Sequence, residues 1–172
     1  LSAFTKDAFL SLIPGNYSTL QYSYWTMPDN LGIAHDTEIE NAVGGRGNDQ
    51  IIGNALDNHI VGGSGNDDIR GGNGNDTLDG GNGNDIIFGG AGNDLIISGI
   101  GDDTLTGGVG SDVFEFKIGD GTNLINDFDA VLDRVVFKDE KDQRISYIEQ
   151  FDLDEEVSFY LLDGTKVFLK DI

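Results

Sequence analysis

Cysteine is absent from this 172-residue chain, so no disulfide, thiolate metal site or cysteine nucleophile is available. That absence fits a reducing compartment as well as export without disulfide catalysts, and it decides little. Basic residues are scarce: 10 Lys+Arg stand against 31 Asp+Glu, for a formal net charge of -21. Nucleic acid and anionic membrane surfaces both reward clustered Lys and Arg, so neither is an expected partner. No run approaches the ~18 apolar residues that cross a bilayer, and no membrane insertion is expected. A basic segment followed by an apolar one, the mark of a secretory leader, is also missing. Leu1 rather than Met opens the chain, as expected of a piece of something larger. There is no HExxH, no GxSxG and no histidine beside a nucleophile, so no catalytic residue is expected. The excess of acid leaves two readings, a cation-binding chain or a merely solvated acidic surface, and the positions of the acids decide between them.

From Gly44 the chain reads GGRGNDQII, GNALDNHIV, GGSGNDDIR, GGNGNDTLD, GGNGNDIIF, GGAGNDLII, SGIGDDTLT and GGVGSDVFE, eight nonapeptides in unbroken phase to Glu115. Of the 26 glycines, 21 fall in this stretch; a low-complexity tract would be as rich in glycine but would not keep a nine-residue phase. The sixth position is Asp49, Asn58, Asp67, Asp76, Asp85, Asp94, Asp103 and Asp112. The eighth is Ile51, Ile60, Ile69, Leu78, Ile87, Ile96, Leu105 and Phe114, apolar in every unit. Each unit therefore divides into a six-residue turn and a short strand whose middle side chain points inward. Glycine at positions one, two and four frees the backbone to take φ > 0 and to approach a ligand closely. Asn48, Asn66, Asn75, Asn84 and Asn93 at position five tolerate the left-handed region in the same way.

One apolar residue per strand buries a core only when two strands face each other and the pair repeats along an axis. One coil is then two units, eighteen residues, and the repeat predicts an all-β, right-handed parallel β-roll of about four coils. Parallel strands lie roughly 4.8 Å apart, so sixth-position carboxylates of units i and i+2 stack at that spacing. Two such charges repel by on the order of 3 kcal/mol at an effective dielectric of about 20. Several pairs in two columns oppose the fold, and the turns demand a cation. Every ligand on offer is oxygen, which suits calcium with its six or more adaptable positions, whereas magnesium prefers a small octahedron with retained water. Zinc is disfavoured, because cysteine is absent and the two histidines, His35 and His59, stand isolated. His59 occupies an outward strand position and reads as an exposed side chain.

The nonapeptide resembles GGxGxDxUx of the RTX, or hemolysin-type, proteins, in which it forms a calcium-binding roll. Six units keep the pattern closely and a seventh, Ser98 to Thr106, lacks only its first glycine. The resemblance implies an ion between the turns of units i and i+2, held by both sixth-position carboxylates. It implies carbonyls of positions two and four from one turn and of positions one and three from the other. Carried onto this sequence, one column uses Asp49, Asp67, Asp85 and Asp103, and the other uses Asp76, Asp94 and Asp112 with Asn58 where its first Asp belongs. The implied carbonyls are Gly62, Gly71, Gly80, Gly89 and Gly107 at position one and Gly45, Gly63, Gly72, Gly81, Gly90 and Gly99 at position two. At position three they are Ser64, Asn73, Asn82, Ala91 and Val109, and at position four Gly47, Gly65, Gly74, Gly83, Gly92 and Gly101. The second unit, with Asn54 and Leu56 in place of glycine, is expected to leave its gap weak or altered. Six gaps are expected between these turns, filled by about five or six calcium ions.

Residues 1–43 read as an N-terminal flank, 44–115 as the roll and 116–172 as a C-terminal β cap that would belong to a secretion-signal region. Thr5 to Ile13 is a candidate short helix, capped by Thr5 and stopped by Pro14-Gly15. Thr19 to Trp25 reads as a strand, and Ile33 to Asp49 resembles the entry to the roll of serralysin-type secreted metalloproteases, with Ile39 and Ala42 covering the first coil. Phe116 to Phe137 resembles the cap that follows RTX arrays; Asn123 stands where that pattern often has Asp, and Asp127 and Asp129 are weaker candidate ligands. A β-hairpin is expected around Asp163-Gly164. The outward pairs Ile86 and Phe88, and Leu95 and Ile97, suggest that the flanks fold over both faces of the third coil.

The resemblance implies a non-catalytic module of a larger protein secreted from a Gram-negative bacterium. Type I secretion machinery would be a transient partner and an upstream domain a permanent one. A different reading, a glycan- or surface-binding module, rests on Tyr17, Tyr22, Tyr24 and Trp25 as a stacking platform, which compete with a plain packing role.

Overall fold

The computed structural model describes residues 31–32, 41–138, 149–153, 156–160 and 163–170, and every regular element among them is a strand. In chain order these are β1 (Leu31–Gly32), β2 (Asn41–Arg46), β3 (Gln50–Ile52), β4 (His59–Ser64) and β5 (Asp68–Asn73). They continue with β6 (Thr77–Asn82), β7 (Ile86–Ala91), β8 (Leu95–Ile97), β9 (Thr104–Val109) and β10 (Val113–Lys117). The last five are β11 (Thr122–Ile125), β12 (Arg134–Lys138), β13 (Glu149–Leu153), β14 (Glu156–Tyr160) and β15 (Lys166–Leu169). The candidate helix, the strand at Thr19 to Trp25, Ile39, His35 and the tyrosines of the N-terminal flank lie outside the described residues.

From β1 to β12, consecutive strands alternate between two sheets. One has the order β1-β3-β5-β7-β9-β11-β15-β14-β13 and the other β12-β10-β8-β6-β4-β2. The parallel register advances eighteen residues at a time: Ile51, Ile69, Ile87 and Leu105 align in the first sheet. Ala42, Ile60, Leu78, Ile96 and Phe114 align in the second. A nine-residue unit advances the chain half a coil, which is why odd and even strands do not mix from β1 to β12. The eighth-position side chains are all 0% exposed and face each other across the roll. Each such burial stabilises by about 1.5–3 kcal/mol, but the roll supplies only one for every nine residues it orders.

The roll is longer than the four coils the repeats provide. β2 precedes the first unit and β11 follows the last, so the pairs β2/β3, β4/β5, β6/β7, β8/β9 and β10/β11 make five coils. The chain reaches the fifth by inserting residues into its turns. Ile97 aligns with Glu115, eighteen residues on, whereas Leu105 aligns with Ile125 and Phe114 with Val135. β12 then lies on β10 and β15 on β11, and β14 turns antiparallel to β15 across the hairpin expected at Asp163-Gly164. Aromatic rings close this end of the core. Phe116 meets Phe137 at 5.8 Å between ring centroids, Phe137 meets Phe159 at 5.7 Å, and Phe114 meets Phe128 at 6.3 Å.

Among its described residues, the C-terminal flank does not fold over the third coil. Its described strands extend the edges of the two sheets, and Ile86 and Phe88 remain 45% and 37% exposed. Phe88 finds its cover on its own sheet, where the Arg70 guanidinium sits 5.3 Å from the ring centroid. Leu95 and Ile97 are half-buried.

Candidate metal centre

The turns form two columns, one on each edge of the roll. Column A joins the six-stranded sheet to the nine-stranded one and holds Asp49, Asp67, Asp85 and Asp103. Column B makes the return and holds Asn58, Asp76, Asp94 and Asp112. Within each column the sixth-position side chain reaches back to the preceding coil. Its Oδ1 accepts the backbone N–H of the equivalent residue eighteen positions earlier. The N–H of Asp49 is bonded to Asp67 at 2.7 Å, that of Asp67 to Asp85 at 2.8 Å and that of Asp85 to Asp103 at 2.9 Å. In column B, Asn58, Asp76 and Asp94 donate to Asp76, Asp94 and Asp112 at 2.7 to 2.9 Å.

The other carboxylate oxygen, Oδ2, tells a different story. In Asp67, Asp76, Asp85, Asp94, Asp103 and Asp112 it is buried without a hydrogen-bond partner, and none of these residues is more than 2% exposed. An ionised oxygen held dry and unpaired costs several kcal/mol. The metal-free fold meets that cost by holding protons. Burial pushes the carboxyls of Asp67, Asp76, Asp94 and Asp112 up to about 6; the ladder N–H bonds pull the other way and neighbouring carboxylates add to the rise. Asp85 moves up for the same leading reason, and Asp103 reaches about 8.

Backbone carbonyls surround the same gaps. Those of positions two and four point toward the following coil: a Cβ at Gly63 or Gly65 would collide with Gly45 O or Gly47 O. Those of positions one and three point to the preceding coil. A Cβ at Gly44 would meet Gly62 O, and Ser64 O accepts the Gly47 N–H at 2.7 Å. Each gap is thus faced by carbonyls of positions two and four from one side and of one and three from the other. Among the described residues no three His, Cys, Asp or Glu side chains gather into a metal-holding group, so any ion must draw on these carbonyls. An all-oxygen set with two carboxylates and several carbonyls fits calcium.

Glycine serves two separate purposes here. Positions two and four carry positive φ, as at Gly63 (114°) and Gly65 (121°), but position one does not. Gly62 is needed for room instead: a Cβ there would strike Asp67 Oδ2 and Gly80 O. At position five the reason for Asn lies in its side chain. Asn48 Oδ1 accepts from the N–H of Asn66 at 2.8 Å, and Asn66 Oδ1 from that of Asn84 at 2.9 Å, a second ladder running up the turns.

The second unit is closed by its own amides. Asn58 Oδ1 accepts the Asn54 N–H at 2.9 Å, and Asn54 Oδ1 accepts the Leu56 N–H at 2.8 Å. At the far end of column B, Asp127 receives the N–H groups of Gly107 and Gly108 at 2.9 and 2.8 Å, and Asp129 those of Val131 and Leu132. Both behave as turn-holding carboxylates. The sequence reading passed over Asp133, whose Oδ1 continues the column B ladder by accepting the Asp112 N–H at 2.9 Å. It also passed over Asp120, 3% exposed beside column A. Insertions of two residues before Asn123 and three between the eighth unit and Asp133 break the phase that would have revealed them.

The sequence profile of the RTX calcium-binding nonapeptide repeat matches residues 43–78, 52–87 and 79–114. Comparison with curated proteins gives no match. Among solved structures, the chain is similar to the AlgE6R3 subunit of the mannuronan C5-epimerase of Azotobacter vinelandii. The two share 22% identity and a TM-score of 0.42, over 73% of this chain and 71% of that one. It is also similar to the extracellular lipase LipA of Serratia marcescens, at 16% identity and a TM-score of 0.36. That match covers 73% of this chain and 38% of the lipase.

Proposed function

Because residues 43–114 are RTX calcium-binding nonapeptide repeats, we propose that this chain is a non-catalytic module whose roll folds around a stack of calcium ions outside the cell. The observation that carries the reading is the set of six buried Oδ2 atoms without partners, ranked in two columns and faced by convergent carbonyls. The ligands are the carboxylates of Asp49, Asp67, Asp76, Asp85, Asp94, Asp103 and Asp112 with the carbonyls of their turns. About five or six ions fill the gaps between repeat turns, and the amide-closed turn of the second unit is the weak one.

Calcium that binds only the folded roll adds its binding free energy to folding. Extracellular calcium modules bind with Kd of about 10⁻⁴–10⁻³ M, far above cytosolic calcium. Inside the cell the acidic chain would stay unfolded, which suits passage through a type I channel. Outside it, calcium would fold the roll and stabilise the domain that precedes it. Equilibrium dialysis of the full chain against calcium tests the ligand assignment: Asp76→Asn and Asp85→Asn should each lose at least one ion. Variants that keep the full complement would remove these residues from the ligand set.

A further inference from the structure

Column A does not end with the repeats. One more turn, Phe116 to Asn123, stacks on the turn of the seventh unit, and the gap between them differs from all those before it. Sixth-position Oδ2 atoms share the face of their own first-position residue with a carbonyl of the following coil: Asp67 Oδ2 with Gly80 O at Gly62, and Asp85 Oδ2 with Ser98 O at Gly80. Asp103 Oδ2 is likewise buried and without a partner, and its carboxyl lies close enough to that of Asp120 for the two to repel. Across from it stands an amide in place of the expected carboxylate, Asn123, whose Oδ1 accepts the Asp103 N–H at 3.0 Å.

The missing carboxylate arrives from another position. The register is eighteen residues at Ile97 and Glu115 but twenty at Asp103 and Asn123, so this turn carries two extra residues. Asp120 takes the third-position place in it. Its carbonyl accepts the Gly101 N–H at 2.8 Å, as Ser64 O accepts that of Gly47. Its carboxylate turns inward to the N–H of Lys117 and to the Ser98 hydroxyl at 3.4 Å. Ser98 is the one first-position residue of the eight units that is not glycine, and its hydroxyl is the one that donates to Asp120. Gly101 O approaches the same turn, where a Cβ on Gly121 would strike it. The corresponding end of column B is unlike this, because both carboxylate oxygens of Asp127 and of Asp133 accept backbone N–H groups, whereas only Oδ2 of Asp120 accepts one.

We infer that the gap between the turns of residues 98–103 and 116–123 is an additional calcium site outside the nonapeptide pattern, with Asp103 and Asp120 as its carboxylates and Asn123 Oδ1, Gly101 O and Asp120 O as its neutral oxygens. Asp120 compensates for the Asp-to-Asn departure at Asn123, and the ion ties the last repeat to the C-terminal cap. The site rests on the calcium reading of the repeats, and native mass spectrometry of the full chain with calcium alone separates the two. If the parent chain takes up no calcium, the general reading falls. If it takes up calcium and Asp120→Asn carries one ion fewer while keeping its calcium-induced circular dichroism, the site stands. An unchanged count in that variant overturns it. Should Asp120→Asn fail to fold, Asn123→Asp decides: it supplies the second sixth-position carboxylate, and should fill one site at a several-fold lower calcium concentration. A filling curve identical to that of the parent overturns the site.

Discussion

A Cβ added at Gly62 would stand against Asp67 Oδ2 and Gly80 O, although its φ lies outside the left-handed region. Gly62→Ala is therefore an overpacking change made among the ligands themselves. It should cost about 1–3 kcal/mol, read as a higher calcium concentration at the folding midpoint. Val109→Ala, at a side chain 75% exposed, should leave that midpoint in place. Asn58→Asp works in the opposite sense. It adds a carboxylate oxygen to a turn now closed by Asn54, and should raise calcium affinity or ion count by one site; an unaltered count would show the turn to be closed for good. The sixth and eighth positions were legible because a period of nine exposes them directly in the sequence. The purposes of first-position glycine and fifth-position asparagine were not, because they depend on how the turn closes on its own carboxylate and on the neighbouring coil, eighteen residues away.

Each column of turns works as one electrostatic element. Without metal, the folded carboxyls of Asp67, Asp76, Asp94 and Asp112 hold protons up to about 6, and that of Asp103 up to about 8, against 3.8 for an ordinary aspartate. The folded state thus binds more protons than the unfolded chain across that interval. The resulting stability is fully present below pH 3.8, declines as the pH rises through about 6, and loses its last part, from Asp103, near 8. Metal-free chain should accordingly gain strand signal on mild acidification from pH 8 to pH 5, measured by circular dichroism in EDTA; a loss of signal over that range would contradict it. Calcium takes the deprotonated carboxylates, so its binding at pH 6 should release protons, which a weakly buffered titration detects. The unbroken phase of eight units made these columns readable in the sequence. The fifth coil was not readable, because insertions before Asn123 and Asp133 shift the phase while the ladder of N–H bonds continues through both.

At the scale of the whole molecule, the roll is open at its growing end unless something covers Phe114 and Phe116, both 0% exposed. Phe128 covers Phe114 and Phe137 of β12 covers Phe116, with Phe159 packed behind Phe137, and an ion pair between half-buried Lys138 and buried Glu115 at 2.6 Å joins the cap to the last repeat strand. A chain ending at Glu115 should fail to fold at calcium concentrations that fold the full chain, since it loses Phe116 and leaves Phe114 bare. Cooperative folding of the shortened chain at the same midpoint would show that the cap is dispensable. The central claim, that calcium and the roll form together, is tested most directly by far-UV circular dichroism of the full chain in EDTA, followed by titration with calcium and separately with magnesium at pH 7.5. The expected result is an unfolded spectrum in EDTA, a cooperative gain of strand signal at roughly 10⁻⁴–10⁻³ M calcium, and no comparable gain with magnesium. A strand spectrum already complete in EDTA, untouched by calcium, would contradict it.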